Sequence, residues 1–136
     1  MIDALDITSS ALAAQRTRLD VIAGNLANAD VTRQEDGTIA PYRRRFVTFM
    51  PGDGNGGAGV QVADVQEDPS PFRLRYAPEH PDRIRAGPLA NYVQLPNVNI
   101  TMEYVDALEA SRAYEANVGM MNVTKDMLRQ AIRLFA

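Results

Sequence analysis

Apolar residues return every seventh position along the first segment: Leu5, Leu12, Leu19 and Leu26 stand in strict register, with Ile2, Ile22 and Ala29 on neighbouring positions of that face. This spacing is a heptad stripe and predicts an amphipathic helix over roughly Asp3 to Ala29. Asp3 and Asp6 lie near its start, where carboxylates complement the helix dipole. A second stripe runs to the other end, where Ile100, Tyr104, Ala107, Ser111, Tyr114, Val118, Met121, Lys125, Leu128, Ile132 and Phe135 alternate steps of four and three. Ser111 and Lys125 are its only polar members, so the pattern predicts one continuous helix. Asn99 or Thr101 is its expected N-cap, Glu103 and Asp106 occupy its first turns, and Lys125, Arg129 and Arg133 descend toward its C-terminal end.

Between the stripes the pattern changes. All eight prolines fall between Pro41 and Pro96, and seven of the nine glycines between Gly37 and Gly87. Inside a helix Pro costs about 3 kcal/mol and Gly about 1 kcal/mol, so this stretch is expected to be irregular or extended. Phe72, Leu74 and Tyr76 alternate with Arg73 and Arg75, which predicts a half-buried strand. Arg44 to Met50 and Gly59 to Val65 are two further strand candidates, joined by the glycine-rich stretch Pro51 to Gly59 as a long-looped hairpin. Asp68 to Pro71 and Pro78 to Asp82 read as turns.

Length then constrains shape. A helix from Ile100 to Phe135 is about 54 Å long, against a radius of gyration of about 14 Å for a compact globule of this size. The expected fold is therefore α+β and elongated: long terminal helices paired as an antiparallel coiled coil, with a small β-hairpin-rich middle. The boundaries fall at residues 1–31 for the first helix, 32–96 for the middle and 97–136 for the last helix. Core packing of both stripes within one chain is the competing expectation.

Composition removes several functions. The 136 residues carry 14 Lys+Arg against 17 Asp+Glu, a net charge of −3, which lacks the basic excess of a general nucleic-acid binder. Cysteine is absent, which excludes disulfide scaffolds, thiolate zinc sites and cysteine nucleophiles, and the single His80 excludes any multi-histidine metal site. No apolar run is long enough to span a bilayer. Two acids and no base precede Arg16, so no secretory signal is expected.

Three local patterns could carry chemistry. Gly52, Gly54 and Gly57 match a dinucleotide fingerprint, but the alternating Val60-Gln61-Val62-Ala63 follows where that site needs a helix, so a hairpin tip is expected. His80, between Glu79 and Asp82 in a Pro-flanked turn, has no partner nucleophile in sight and reads as structural. Arg43-Arg44-Arg45, followed by Phe46 and Phe49, resembles a phosphate-contacting strand, yet net charge favours a solvated or salt-bridging face. The first helix has no lysine and no aromatic, which argues against a membrane-surface role. No cofactor is implied.

Two longer patterns are recognisable. Asn25-Leu26-Ala27-Asn28-Ala29-Asp30 resembles the N-terminal signature of the bacterial flagellar rod and hook family, and Ala110-Ser111-Arg112-Ala113-Tyr114-Glu115-Ala116-Asn117, after Pro96-Asn97-Val98-Asn99, resembles its C-terminal signature. Asp68-Pro69-Ser70-Pro71-Phe72-Arg73 and Pro78-Glu79-His80-Pro81-Asp82 are similar to segments of its proximal-rod members, so the resemblance spans nearly the whole chain. Two departures stand out: Val31 intervenes between Asp30 and the family's threonine, and Asn91 replaces the glycine of a Gly-Tyr-Val run.

The resemblance implies a non-enzymatic structural protein of the basal-body rod in the periplasmic span, exported by the flagellum's own apparatus without a cleavable signal. It implies a hollow helical tube that transmits torque around an export channel, with the paired helices lining the tube and the middle segment outside. Implied partners are copies of the chain, other rod proteins, the adaptor between rod and membrane ring, and the export apparatus, with no nucleic acid and no membrane insertion. The residues expected to carry assembly are the apolar Leu12, Leu19, Ile22, Leu26, Tyr114, Val118, Met121, Leu128 and Ile132. The signature residues Asn25, Asn28, Arg112, Glu115 and Asn117 are assigned to capping and inter-subunit contacts. A soluble coiled-coil adaptor or export chaperone is the alternative, and a small hydrolase centred on His80 a more distant one.

Overall fold

The structure is a computed structural model that describes residues 2–52 and 57–135, with side chains from residue 4 onward. The chain forms α1 (Ile2–Ala27), β1 (Arg45–Pro51), β2 (Val60–Glu67), β3 (Arg73–Tyr76), β4 (Tyr92–Leu95) and α2 (Ile100–Phe135). It is an α+β fold of two long helices and two small antiparallel sheets.

Local chemistry sets the helix ends. Asn99 caps α2, its Oδ1 accepting from the backbone N–H of Thr101 at 3.1 Å and of Met102 at 3.3 Å. At the end of α1, Asn28 donates Nδ2 to the carbonyl of Gly24 at 2.8 Å, and Val31 N–H turns back to the carbonyl of Asn28.

β1 and β2 form the expected hairpin, with Arg45 opposite Glu67 and Pro51 opposite Val60. The register shifts between Thr48, opposite Asp64, and Phe49, opposite Val62, which leaves Ala63 as a bulge. The tip, including the expected Gly54 of the glycine pattern, lies at 53–56 outside the described residues. The hairpin rests on α1, where Val60 N–H donates to Ser10 Oγ at 3.1 Å. α2 packs on another side of the same helix, so α1 is the central element.

The second sheet departs from its expected burial. β3 pairs with β4, a strand that sequence patterning does not single out, through Arg73 opposite Leu95 and Arg75 opposite Val93. Residues directly opposite in an antiparallel pair share a face. Val93 and Leu95 are buried, so Arg73 and Arg75 share their face of the sheet, yet all four residues of β3 are exposed; Arg73 Nε donates to the carbonyl of Pro96 at 2.9 Å. Leu74 and Tyr76 face outward, 45% and 62% exposed. β3 is thus a strand as expected but not half-buried on its apolar side; the edge of Tyr76 rests on Tyr92 instead, ring centroids 5.4 Å apart.

The left-handed backbone at Asn91, φ 68°, explains one departure from the family pattern. Glycine adopts this conformation freely, and asparagine is among the few other residues that tolerate it.

The interior is small. Among the described residues Ala14, Ile22, Ala29, Val93, Leu95, Pro96, Val98 and Ala110 are its buried apolar members, gathered mostly where the end of α1 meets the start of α2. The accessible surface is 9201 Å², whereas a compact monomer of this mass exposes about 7,000 Å². The long helices hold the molecule open.

Candidate functional site

The densest chemistry lies at that junction. Asn25, fully buried, donates Nδ2 to the carbonyl of Arg45 at 2.7 Å and to Glu103 Oε2 at 3.1 Å. Its Oδ1 accepts from Arg45 N–H at 2.9 Å and from the Tyr42 hydroxyl at 3.0 Å. One side chain of α1 thereby holds the start of β1 and the first turn of α2. Burial pushes the Tyr42 hydroxyl above its usual pKa, with the nearby Arg45 opposing.

Arg44 completes the knot. Its Nε meets Glu103 Oε1 at 2.5 Å, and its two terminal nitrogens lie 3.5 Å from Asp68 and 3.4 Å from Asp106. Burial works against the guanidinium's charge, but these three carboxylates outweigh it and raise its pKa further. Glu103 is wholly buried, which a carboxylate tolerates only when paired and hydrogen-bonded. Asn97 accepts from Arg44 N–H at 2.8 Å and donates to the carbonyl of Asp68 at 3.1 Å and to Ser70 Oγ at 2.9 Å. Arg43 stacks on Phe72, 4.4 Å from the ring centroid, while Arg45 is exposed near Glu67. The basic run is therefore not one solvated face; its middle member is an internal tie.

A second knot joins the loop after α1 to the turn at 78–82. Asp82, nearly buried, accepts from Thr32 Oγ1 at 2.7 Å and from Arg33 Nε at 2.6 Å, and these partners hold its carboxyl below the usual range. His80 Nδ1 accepts from Asp82 N–H at 3.1 Å, so the histidine shapes this turn. Asp68 is likewise lowered, first by Ser70 N–H and then by Arg44.

The expected assembly residues divide. Ile22 and Asn25 are buried; Leu12, Leu19, Leu26, Asn28, Tyr114, Asn117, Met121 and Leu128 are partly buried; Arg112, Glu115, Val118 and Ile132 are exposed. Asn25 works inside the chain, and Asn28 is the cap of α1. On α2 the stripe covered by the chain's own residues runs through Glu103, Ala107, Ala110, Tyr114, Asn117, Met121, Thr124, Leu128 and Ala131. It shares only alternate positions with the stripe drawn from apolar spacing. Small and polar residues fill the rest, and large apolar ones such as Tyr104, Leu108 and Ile132, 60%, 61% and 66% exposed, are left outside.

Sequence patterning misses Glu103, Arg44 and Asn97 as a cluster. Glu103 reads as a first-turn acid and Arg44 as one of three surface arginines. The available signal is the phase: a carboxylate seven residues before Ala110 sits on the covered stripe and demands a buried cation.

No helix of the structure is long and apolar enough to cross a membrane, and no cluster of three His, Asp or Glu able to hold a metal occurs among the described residues. Comparison with known proteins gives consistent matches. Residues 5–33 match the family described as flagella basal body rod protein, and residues 89–134 match the flagellar basal body rod FlgEFG protein C-terminal family. The chain is 41% identical to the flagellar basal-body rod protein FlgC of Borreliella burgdorferi, covering 98% of this chain and 97% of the relative. It is 44% identical to that of Bacillus subtilis, over 96% and 95%, and 42% identical to that of Escherichia coli O157:H7, over 98% and 97%.

Proposed function

This chain belongs to the FlgC family of flagellar basal-body rod proteins, structural subunits of the proximal rod, and from that premise we propose how it serves there. The two long helices pair as an antiparallel coiled coil that forms the inner wall of a hollow helical tube. The middle segment, held to the helix junction by Arg44 and Asn25, stands on the outside of that wall. Torque passes through packed interfaces, and the tube leaves a channel for export. The partners are further copies, other rod proteins, the adaptor to the membrane ring and the export apparatus, in the periplasmic span of the envelope.

One observation carries this reading: a 36-residue helix whose large apolar residues are mostly exposed. Isolated helices in water are marginal, and an uncovered apolar face of this extent marks an interface. An alternating step of four and three further suits helix partners.

The test is a strain lacking the chain, complemented in trans and imaged at the basal body. The expected result is loss of swimming and of a complete rod without the chain, with both restored by it. A chain that accumulates only in a soluble complex of fixed size, while rods form without it, supports the adaptor reading and overturns this one.

A further inference from the structure

Three of the chain's six methionines stand on one line of α2. Met102 and Met120 are 18 residues apart, which is five full helical turns. Met127 follows seven residues later, within about 20° of the same direction. All three are exposed, at 55%, 58% and 57%. Met121 lies about 100° around the helix from Met120, on the stripe that α1 covers, and is half-buried. The three exposed sulfurs do not converge on a metal ion, since Met102 stands about 27 Å along the axis from Met120. What they share is access.

Cysteine is absent, so thioethers are the only sulfur this chain offers to an oxidant. We propose that Met102, Met120 and Met127 form a site of reversible oxidation that closes this flank of α2 to its partners. The inference rests on the rod-subunit reading above, in which exposed apolar residues of α2 are covered on assembly. A peroxide is the oxidant. A sulfur lone pair attacks one peroxide oxygen, the O–O bond breaks, and the other oxygen leaves as water. The sulfur loses the two electrons that reduce the peroxide and becomes a sulfoxide. A methionine sulfoxide reductase reverses the step, its two thiols becoming a disulfide while the oxygen departs as water.

The alignment gives the chemistry its effect. A thioether is apolar and adaptable, whereas a sulfoxide is polar and brings a strong acceptor that a dry contact leaves unpaired. Three sulfoxides on scattered faces would each meet a different neighbour. On one line they fall in one contact, from the first turn of α2 to its last third. Coverage also protects the sulfurs, so a free subunit responds to oxidant and an assembled one does not.

The purified full chain is treated with hydrogen peroxide and digested, and sulfoxide is located by mass spectrometry. Met102, Met120 and Met127 are expected to oxidise ahead of Met121, and a reductase with dithiothreitol to restore them. A second chain carries Met102→Leu, Met120→Leu and Met127→Leu, which keeps apolar volume and removes the sulfurs. Each chain is induced under sublethal peroxide in a strain that lacks it, and newly completed basal bodies are counted. The wild type is expected to lose them and the triple variant to keep them. Met50→Leu, at a site 44% exposed on β1, is expected to behave as the wild type. Met120→Gln, which places a polar group on the line without oxidant, is expected to reduce completed rods in untreated cells. Equal loss in the wild type and the triple variant overturns the proposal and leaves the rod assignment standing. Normal rods from Met120→Gln, or sulfoxide forming on Met121 as fast as on the three, do the same. Basal bodies that contain no copies of the chain overturn both.

Discussion

Asn25 and Glu103, 78 residues apart in the chain and both fully buried, meet at 3.1 Å where the end of α1 crosses the start of α2. Neither residue is apolar, yet together with Arg44 they fix the crossing more specifically than the few buried apolar side chains around them. Dispersion contacts tolerate sliding, whereas a hydrogen-bonded carboxylate between an amide and a guanidinium has one geometry. The three side chains join α1, the start of β1 and α2, so the beginning of the middle segment is set against both helices at this point.

Removing the cation should cost more than neutralising one anion. Arg44→Met strands the wholly buried Glu103 carboxylate with Asn25 alone, a loss of about 3–5 kcal/mol. Glu103→Gln leaves Arg44 with Asp68 and Asp106 and keeps an acceptor, a loss of about 1–2 kcal/mol. Urea unfolding of the purified variants checks the order, and the reverse order refutes the account of the knot.

Asn25→Asp replaces an amide donor with a carboxylate facing Glu103. The substitution keeps the acceptor for Arg45 N–H and Tyr42 but sets two negative groups together. Stability should fall at neutral pH and recover part of the loss as the pH drops toward about 4, where carboxylates protonate. Thermal unfolding from pH 7 to 4 measures it; a variant that only weakens on acidification contradicts the prediction.

Acid should loosen the middle segment of the wild type. Asp82 and Asp68 are held below their ordinary pKa by Arg33 and by Ser70 N–H respectively. Lowered folded values mean stability that is complete above about pH 4 and is lost as pH falls through those values. Unfolding midpoints should be flat between pH 6 and 8 on this account and fall below pH 4. Asp82→Asn should be weaker at neutral pH and show a shallower acid dependence.

Asn91 separates backbone from side-chain effects. Asn91→Gly should be neutral or slightly stabilising at its φ of 68°, while Asn91→Val should cost about 1–2 kcal/mol. Equal stability of the two variants would show that the loop relaxes out of the left-handed region.

The isolated chain should order unevenly. The first turns of α2 are tied to Asn25 and Arg44, whereas exposure climbs toward the far end, from 57% at Met127 to 93% at Phe135. Amide exchange of the monomer should be slow near residues 103–110 and fast beyond about residue 118. Uniform protection along α2 is inconsistent with this.

The elements themselves are legible in the sequence because periodicity and breakers report local structure. Both helices, the hairpin and the strand at 73–76 follow from spacing and from the confinement of Pro and Gly to the middle. Facing direction is less legible. Phe72, Leu74 and Tyr76 form the apolar side of a strand, and in a protein complete in itself that side is the inner one. Here Leu74 and Tyr76 point outward, and Val118 and Ile132 on α2 do the same. Patterning locates apolar faces, but whether its own chain or another covers each is a property of the assembly. The junction is missed for a different reason: Asn25, Arg44 and Glu103 are brought together only by the crossing of distant segments.

The two helices differ in length, 26 residues against 36, and they lie side by side, antiparallel in chain direction, both extending to the same side of the shared junction. At about 1.5 Å per residue, α2 therefore projects roughly 15 Å past the beginning of α1. One end of the molecule is broad, where both helices and the middle segment meet, and the other tapers to a single helix. An object with one blunt and one pointed end stacks in a consistent sense only when every member points the same way. A column of such subunits has a top and a bottom written into each piece, and a newcomer inverted by half a turn presents a point where the column offers a point.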